Sequence, residues 1–163
     1  MMKKIKEGLS QANNVNKKLI SKLYTSLIEK IIKILIKSIR SGGKVIFCGN
    51  GGSASDSLHL AAELIGRFKK KRKAISAISL NSEISTITAI ANDFGYEKIF
   101  SEQIKIKGKR GDLLICLSGS GNSSNIIYAI KEANRQSMTT FCFLGYDGGN
   151  AKSKTKHFFH FKN

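Results

Sequence analysis

The sequence predicts an α/β fold with a doubly wound, mainly parallel, five-stranded sheet. Three observations carry this reading. Short apolar runs of strand composition alternate with stretches of helical apolar periodicity. Two of those runs end in turns of Gly, Ser and Asn that open a helix. No linker and no internal repeat divides the chain. At 163 residues, 41% hydrophobic and 24% charged, the length and composition suit one structural domain with a sizeable core and exclude disorder throughout. Fifteen Gly, no Pro and no Trp exclude a collagenous or Pro-rich chain. The predicted organisation is an N-terminal helical segment, 1–41, followed by an α/β domain, 42–163.

In residues 19–39 the apolar positions are 19, 20, 23, 24, 27, 28, 31, 32, 35 and 39, the recurrence of a helix with one wide apolar face. Ile34 and Ile36 widen that stripe, so the helix is expected to pack on its own sheet and on something else, such as a second subunit. Ser41-Gly42-Gly43 marks its end. Lys22, Glu29, Lys30, Lys33 and Lys37 exclude a membrane span.

Strand–helix units follow. Residues 44–48 read as a strand, with the turn Gly49-Asn50-Gly51-Gly52-Ser53 and a helix over about 55–68. Residues 75–80 form the second strand and 82–91 its helix. The third strand, 113–117, leads through Ser118-Gly119-Ser120-Gly121-Asn122-Ser123-Ser124 into an amphipathic helix with Ile126, Ile127, Ile130 and Ala133 on one face. Residues 139–144 and 158–161 complete the five strands. Right-handed crossovers in such a sheet put ligands at the carboxyl ends of the strands.

Lys and Arg number 28 against 11 Asp and Glu, a formal net charge of +17. Lys69-Lys70-Lys71-Arg72-Lys73 is an unbroken basic run, and residues 151–163 carry four Lys and no acid. No recognition motif accompanies them, so a solvated face or attraction of a small anionic substrate is favoured over nucleic-acid binding. Cys48, Cys116 and Cys142 each lie in a strand run, and three such thiols make a poor disulfide framework. With no CxxC pair they read as buried, reduced thiols. The N-terminus, interrupted by Gln11, Asn13, Asn14 and Asn16, has no signal-peptide core, so a cytoplasmic protein is expected.

The chemistry concentrates in the two turns. Glycines in 49–52 let backbone N–H groups approach an anion at a helix N-terminus. In the second turn Ser118, Ser120, Ser123 and Ser124 supply four hydroxyls within seven residues. Hydroxyls, amides and a helix dipole at one point suit a phosphate monoester; the plainer reading is a flexible turn with capping serines. Gly49-Asn50-Gly51-Gly52-Ser53-Ala54 loosely fits a dinucleotide fingerprint. The strand at 75–80 ends in Asn81, however, with Glu83 two further on, and lacks the acidic ribose ligand. His59, Glu63 and Arg67 recur every four residues on one helix face. They read as divalent-metal ligands and a base, or as an exposed ladder. Asn92-Asp93 suits either sugar hydroxyls or an Asx turn. His157 and His160, three apart in a strand, point to opposite faces and do not suit one metal.

The segments CGNGGSASDSLHLAAELIGRF, AIANDFGYEKIFSEQI and GDLLICLSGSGNSSNIIYAIKEA closely resemble the sedoheptulose-7-phosphate isomerase (phosphoheptose isomerase) family of the sugar isomerase (SIS) superfamily. The resemblance spans roughly Gly42 to Gly149. It implies a flavodoxin-like three-layer sandwich and a homotetramer with active sites at subunit interfaces. It also implies interconversion of sedoheptulose 7-phosphate and D-glycero-D-manno-heptose 7-phosphate through an enediolate. That reaction opens ADP- or GDP-heptose synthesis for bacterial surface polysaccharide. Substrate-contacting positions would be Asn50, Gly51, Gly52, Glu63, Arg67, Asn92 and Asp93, with Ser118, Gly119, Ser120 and Ser123 as the phosphate cradle. Gly119 stands where a Thr is common in the family. His59 and Glu63 match zinc ligands, and Glu63 also matches the proton-transferring carboxylate. The family continues past its last strand into a helix whose Gln and His complete the metal site. This sequence ends at Lys162-Asn163, so a weakened zinc site is expected. The alternative is a non-catalytic module that binds a sugar phosphate or a partner protein.

Overall fold

The structure, a computed structural model, describes residues 1–66 and 71–161. It forms two compact units, Met1–Ile34 and Leu35–Asn163. The first contains helix α1 (Met2–Leu19) and most of α2 (Lys22–Arg40). Lys17 and Lys18 in the last turn of α1 favour its C-terminal dipole. The helix predicted over 19–39 is α2, which starts three residues late, at Lys22, because Ile20-Ser21 separate it from α1. The apolar spacing ran through a start signal: Ser21 precedes α2, and its carbonyl accepts from the Thr25 N–H at 3.0 Å and the Thr25 hydroxyl at 3.1 Å.

The second unit is built on five strands, β1 (Val45–Gly49), β2 (Ala77–Ser79), β3 (Leu113–Ser118), β4 (Thr139–Leu144) and β5 (His157–His160). They run in the order β2-β1-β3-β4-β5 and every pair is parallel. Helix α3 (Gly52–Ile65) connects β1 to β2, and α4 (Ile84–Phe94) and α5 (Ser101–Lys107) connect β2 to β3. Then α6 (Ser124–Arg135) and α7 (Gly149–Lys154) follow β3 and β4. The step from β1 to β2 runs opposite to every later step. With right-handed crossovers this puts α3 on one face and α4 to α7 on the other. The alternation of the strands agrees. Ile46, Cys48, Leu114, Cys116, Cys142 and Leu144 join a buried core with Ile104 of α5 and Ile126, Ile130 and Ala133 of α6. The intervening Val45, Phe47, Leu113, Ile115 and Phe141 are buried as well. Burial on both faces explains why the strands read as unbroken apolar runs.

Several elements differ from their predicted bounds. The helix predicted at 55–68 begins at Gly52, three residues early, and β2 is only three residues long. The helix predicted at 82–91 runs over Ile84–Phe94, so Asn92 and Asp93 lie in its last turn and not in the loop beyond it. The short helices α5 and α7 and the 3-10 turn Tyr96–Lys98 carry too few apolar repeats to show in the sequence pattern.

The amino edge of the sheet is tied by Asp112, which is fully buried. Its carboxylate accepts from the Lys44 N–H at 2.9 Å, the Lys44 ammonium at 2.5 Å and the Lys109 N–H at 3.0 Å. Beside it Ser38 of α2 donates to the Gly111 carbonyl at 2.8 Å.

Candidate functional site

Where strand order reverses, between β1 and β3, the loops leaving the carboxyl ends part in opposite directions and open a crevice. The β1 turn enters α3 steeply: a Cβ on Gly49 would stand 2.5 Å from the Ser53 carbonyl oxygen, so only Gly fits. Asn81, at the end of β2, grips this turn from the side. Its amide donates to the Gly49 carbonyl at 3.0 Å, and its oxygen accepts the Gly49 N–H at 3.2 Å and the Ser57 hydroxyl at 2.9 Å. The position that lacks the acid of a dinucleotide site thus has a structural task.

The β3 turn begins inside the strand. Ser118 is buried and its Oγ accepts the Gly121 N–H at 3.1 Å, while exposed Ser120 accepts the Asn122 N–H at 3.2 Å. A hydroxyl that accepts keeps its own O–H to donate. Ser123 is the N-cap of α6, and its hydroxyl makes no side-chain capping bond at the helix N-terminus. Gly121 has φ 65°, and a Cβ there would stand 2.1 Å from the Gly148 carbonyl oxygen. That close approach lets the loop after β4 lie against the turn. The Gly145 N–H donates to Gly119 at 3.1 Å, the Ala151 N–H to Gly121 at 2.8 Å, and the Asn150 N–H to the Asn122 side chain at 2.9 Å.

Between the turns, Asn50 Nδ2 donates to Asn125 Oδ1 at 2.9 Å and Asn125 Nδ2 donates back to Asn50 Oδ1 at 2.8 Å. The Tyr96 hydroxyl also donates to Asn50 Oδ1, at 3.2 Å. Asn125, Asn81 and Tyr96 hold the β1 turn through side-chain hydrogen bonds that sequence reasoning missed, because a lone Asn or Tyr carries no pattern.

Two cavities extend from the β3 turn along α3. One, of about 290 Å³, is lined by Ser53, Asp56, Ser118 and Gly119 among others. The next, of about 280 Å³, is lined by Asp56, His59, Leu60, Leu117 and Phe143. Asp56, Leu117 and Phe143 belong to both, so the cradle end and His59 share a wall. His59 Nε2 lies 3.8 Å from Glu63 Oε1, with the His59 side chain 75% exposed. Glu63 lines neither of these cavities. The Arg72 guanidinium donates to the Glu63 and Leu64 carbonyls at 2.5 and 2.8 Å, capping the end of α3. Gly51 and Gly52 are exposed at its start. Asn92 and Asp93 are exposed, and Asn92 Nδ2 donates to Asp93 Oδ1 at 2.8 Å. Arg67 lies outside the described residues. Among the described residues no group of three or more His, Cys, Asp or Glu is placed to hold a metal. His59 and Glu63 are thus two donors of the right chemistry for zinc and half of a tetrahedral set.

The three thiols are buried and free. Cys48 and Cys116, in register on β1 and β3, have sulfurs 3.5 Å apart, and Cys142 is the register partner of Cys116 on β4. Hydrogen bonding to Cys116, then burial, push the Cys142 thiol far above its ordinary value. These are core groups beneath the site.

Residues 9–145 match the model of the SIS domain family. The phosphoheptose isomerase of Helicobacter pylori strain P12 is 44% identical over 147 residues, covering 90% of this chain and 76% of that protein. The chain belongs to the phosphoheptose isomerase family. A second Helicobacter pylori phosphoheptose isomerase, from strain 26695, is 49% identical over 125 residues, 77% of this chain, and the match spans 65% of that relative's length. The phosphoheptose isomerase structure from Neisseria gonorrhoeae superposes with a TM-score of 0.87 at 31% identity, covering 95% of this chain and 80% of that one. The structure from Francisella tularensis gives 0.90 at 29%, covering 95% and 81%. Both turns and the α3 stripe lie within the residues that match the SIS domain model.

Proposed function

We propose that this chain is an isomerase interconverting sedoheptulose 7-phosphate and D-glycero-D-manno-heptose 7-phosphate. The observation that carries the reading is the pairing of two anion-ready turns at the point of strand reversal, with cavities running from the β3 turn along α3 to His59. In this reading Ser118, Gly119, Ser120 and Ser123 hold the phosphate through hydroxyls and amides at the start of α6. Asn50, Gly51 and Gly52 border the sugar, and Asn92 and Asp93 complete its polar surroundings. The phosphate, remote from the reacting carbons, supplies binding energy that fixes C1 and C2 beside the base.

Aldose–ketose exchange moves one proton between C1 and C2 and a second between their oxygens, the latter by exchange with water. Glu63 is the base: its carboxylate takes the proton from one carbon and returns it to the other while the enediolate is held. His59 and Glu63 also carry the imidazole nitrogen and carboxylate oxygen that zinc accepts, and zinc bound there would stabilise negative charge on the enediolate oxygens. The chain works as a homotetramer in the cytoplasm, associating through apolar positions of α2 such as Ile36, which is 41% exposed. Its partners are the sugar phosphate and copies of itself, not nucleic acid or a membrane. Among the described residues no helix is long and apolar enough to cross one.

The test is turnover of sedoheptulose 7-phosphate followed by separation of the two heptose phosphates. Conversion, reduced about 10²- to 10⁴-fold by Glu63→Gln, is expected for a positioned base. Binding without conversion would instead assign a non-catalytic sugar-phosphate module.

A further inference from the structure

Among the described residues only Ser137 and Tyr146 combine a side chain with positive φ, at 60° and 44°. Ser137 lies between α6 and β4, at the end of the sheet away from the crevice. Tyr146 lies in the loop after β4, at the carboxyl edge, between Gly145 and Asp147. A strained backbone at such a place is commonly kept for function when the surroundings hold it.

The surroundings do hold it. His160, itself only 9% exposed, has its Nε2 2.8 Å from the Tyr146 carbonyl oxygen. The preceding Gly145 N–H is bonded to Gly119. Packing does not explain why the residue is Tyr, since Tyr146 is 81% exposed. A glycine would adopt this φ freely. The ring does have one neighbour of note: Tyr146 Cε2 lies 3.9 Å from where a Cβ on Gly119 would stand, and no other atom beyond the adjoining residues comes within 4 Å of that point. The space above Gly119, in the middle of the β3 turn, is therefore open and bordered by the phenol.

We propose that Tyr146 is a further binding residue of this site, its phenolic O–H donating to the phosphate held above Gly119. The inference rests on the phosphate-cradle reading and adds a donor from the β4 loop to those of the β3 turn. Clamping by His160 fixes the backbone from which the ring projects.

The experiment is calorimetric titration of the full 163-residue chain, as wild type, Tyr146→Phe and Tyr146→Gly, with sedoheptulose 7-phosphate and separately with inorganic phosphate. Loss of a hydrogen bond to a charged group is expected to weaken both ligands about tenfold in Tyr146→Phe. Tyr146→Gly is expected to weaken them at least as much while its Tm stays level or rises, because the positive φ is relieved. Wild-type affinity in Tyr146→Phe, a loss confined to the sugar phosphate, or a lowered Tm in Tyr146→Gly with affinity intact would each overturn the assignment. A wild-type chain that binds neither ligand would overturn the cradle reading, and Tyr146 with it. Unaltered variants of a binding-competent chain overturn Tyr146 alone.

Discussion

Asn50 and Asn125, 75 residues apart in sequence, exchange two amide hydrogen bonds across the point where the strand order reverses. Asn125 is 2% exposed and its oxygen also accepts the Ile126 N–H at 2.9 Å. The pair fixes the first turn of α6 against the turn that opens α3, so the two anion-ready loops act as one rigid unit. Asn125→Ala is expected to cost about 1–3 kcal/mol, seen as a lower urea midpoint at unchanged m-value. The same variant is expected to bind sugar phosphate more weakly, since it removes both Asn125 bonds from Asn50 and loosens both loops.

Ser118 and Ser120 separate folding from binding within one turn. Ser118→Ala removes the buried acceptor of the Gly121 N–H and is expected to lower stability by about 1 kcal/mol as well as affinity. Ser120→Ala, at an exposed position, is expected to lower affinity and leave the melting temperature within a degree or two. Thermal melts run beside ligand titrations check both.

Much of this arrangement was legible in the chain. The long strands β1, β3 and β4 announced themselves because burial on both faces made them continuous apolar runs bounded by Gly and Ser. Ser118 to Ser124 stood out as four hydroxyls within seven residues, a pattern that suits a phosphate cradle or a turn with capping serines. Strand order was not legible, since periodicity is local and the β2-β1-β3-β4-β5 order is set by crossovers. Nor were Asn81 and Asn125, whose roles come from partners 32 and 75 residues away. The break at Ser21 was masked by Leu19 and Ile20, whose spacing continued the apolar stripe.

The Asp112 anchor predisposes the sheet and not the site. Removing one partner of a buried ion pair strands the other, and here two backbone N–H groups also lose their acceptor. Asp112→Ala is expected to destabilise the fold by about 3 kcal/mol or more. Because Asp112 lies at the amino edge of the sheet, ligand affinity measured well below the melting transition is expected to be unchanged.

The thiol row gives a pH dependence with a definite sign. Both Cys116 and Cys142 have thiols raised above their ordinary value. For Cys116, the hydrogen bond with Cys142 lowers it, but Cys48 and burial outweigh that. The folded state therefore holds its thiol protons more tightly than the unfolded chain. This contribution is complete below the ordinary thiol range, about 8.5, and declines as pH rises above it. A urea midpoint lower at pH 9.5 than at pH 7, with a smaller difference in Cys142→Ala, is expected. Native protein at pH 8 is expected to leave a thiol-specific reagent unconsumed until denaturant exposes Cys48, Cys116 and Cys142.

Most directly, a crystal grown with sedoheptulose 7-phosphate would show where the phosphate sits. The expected result is phosphorus density within the Ser118 to Ser124 turn, with Ser120 and Ser123 donating to its oxygens and the sugar directed along α3 toward His59. Phosphate bound elsewhere, or those serines turned into the protein with the turn empty, would contradict the account.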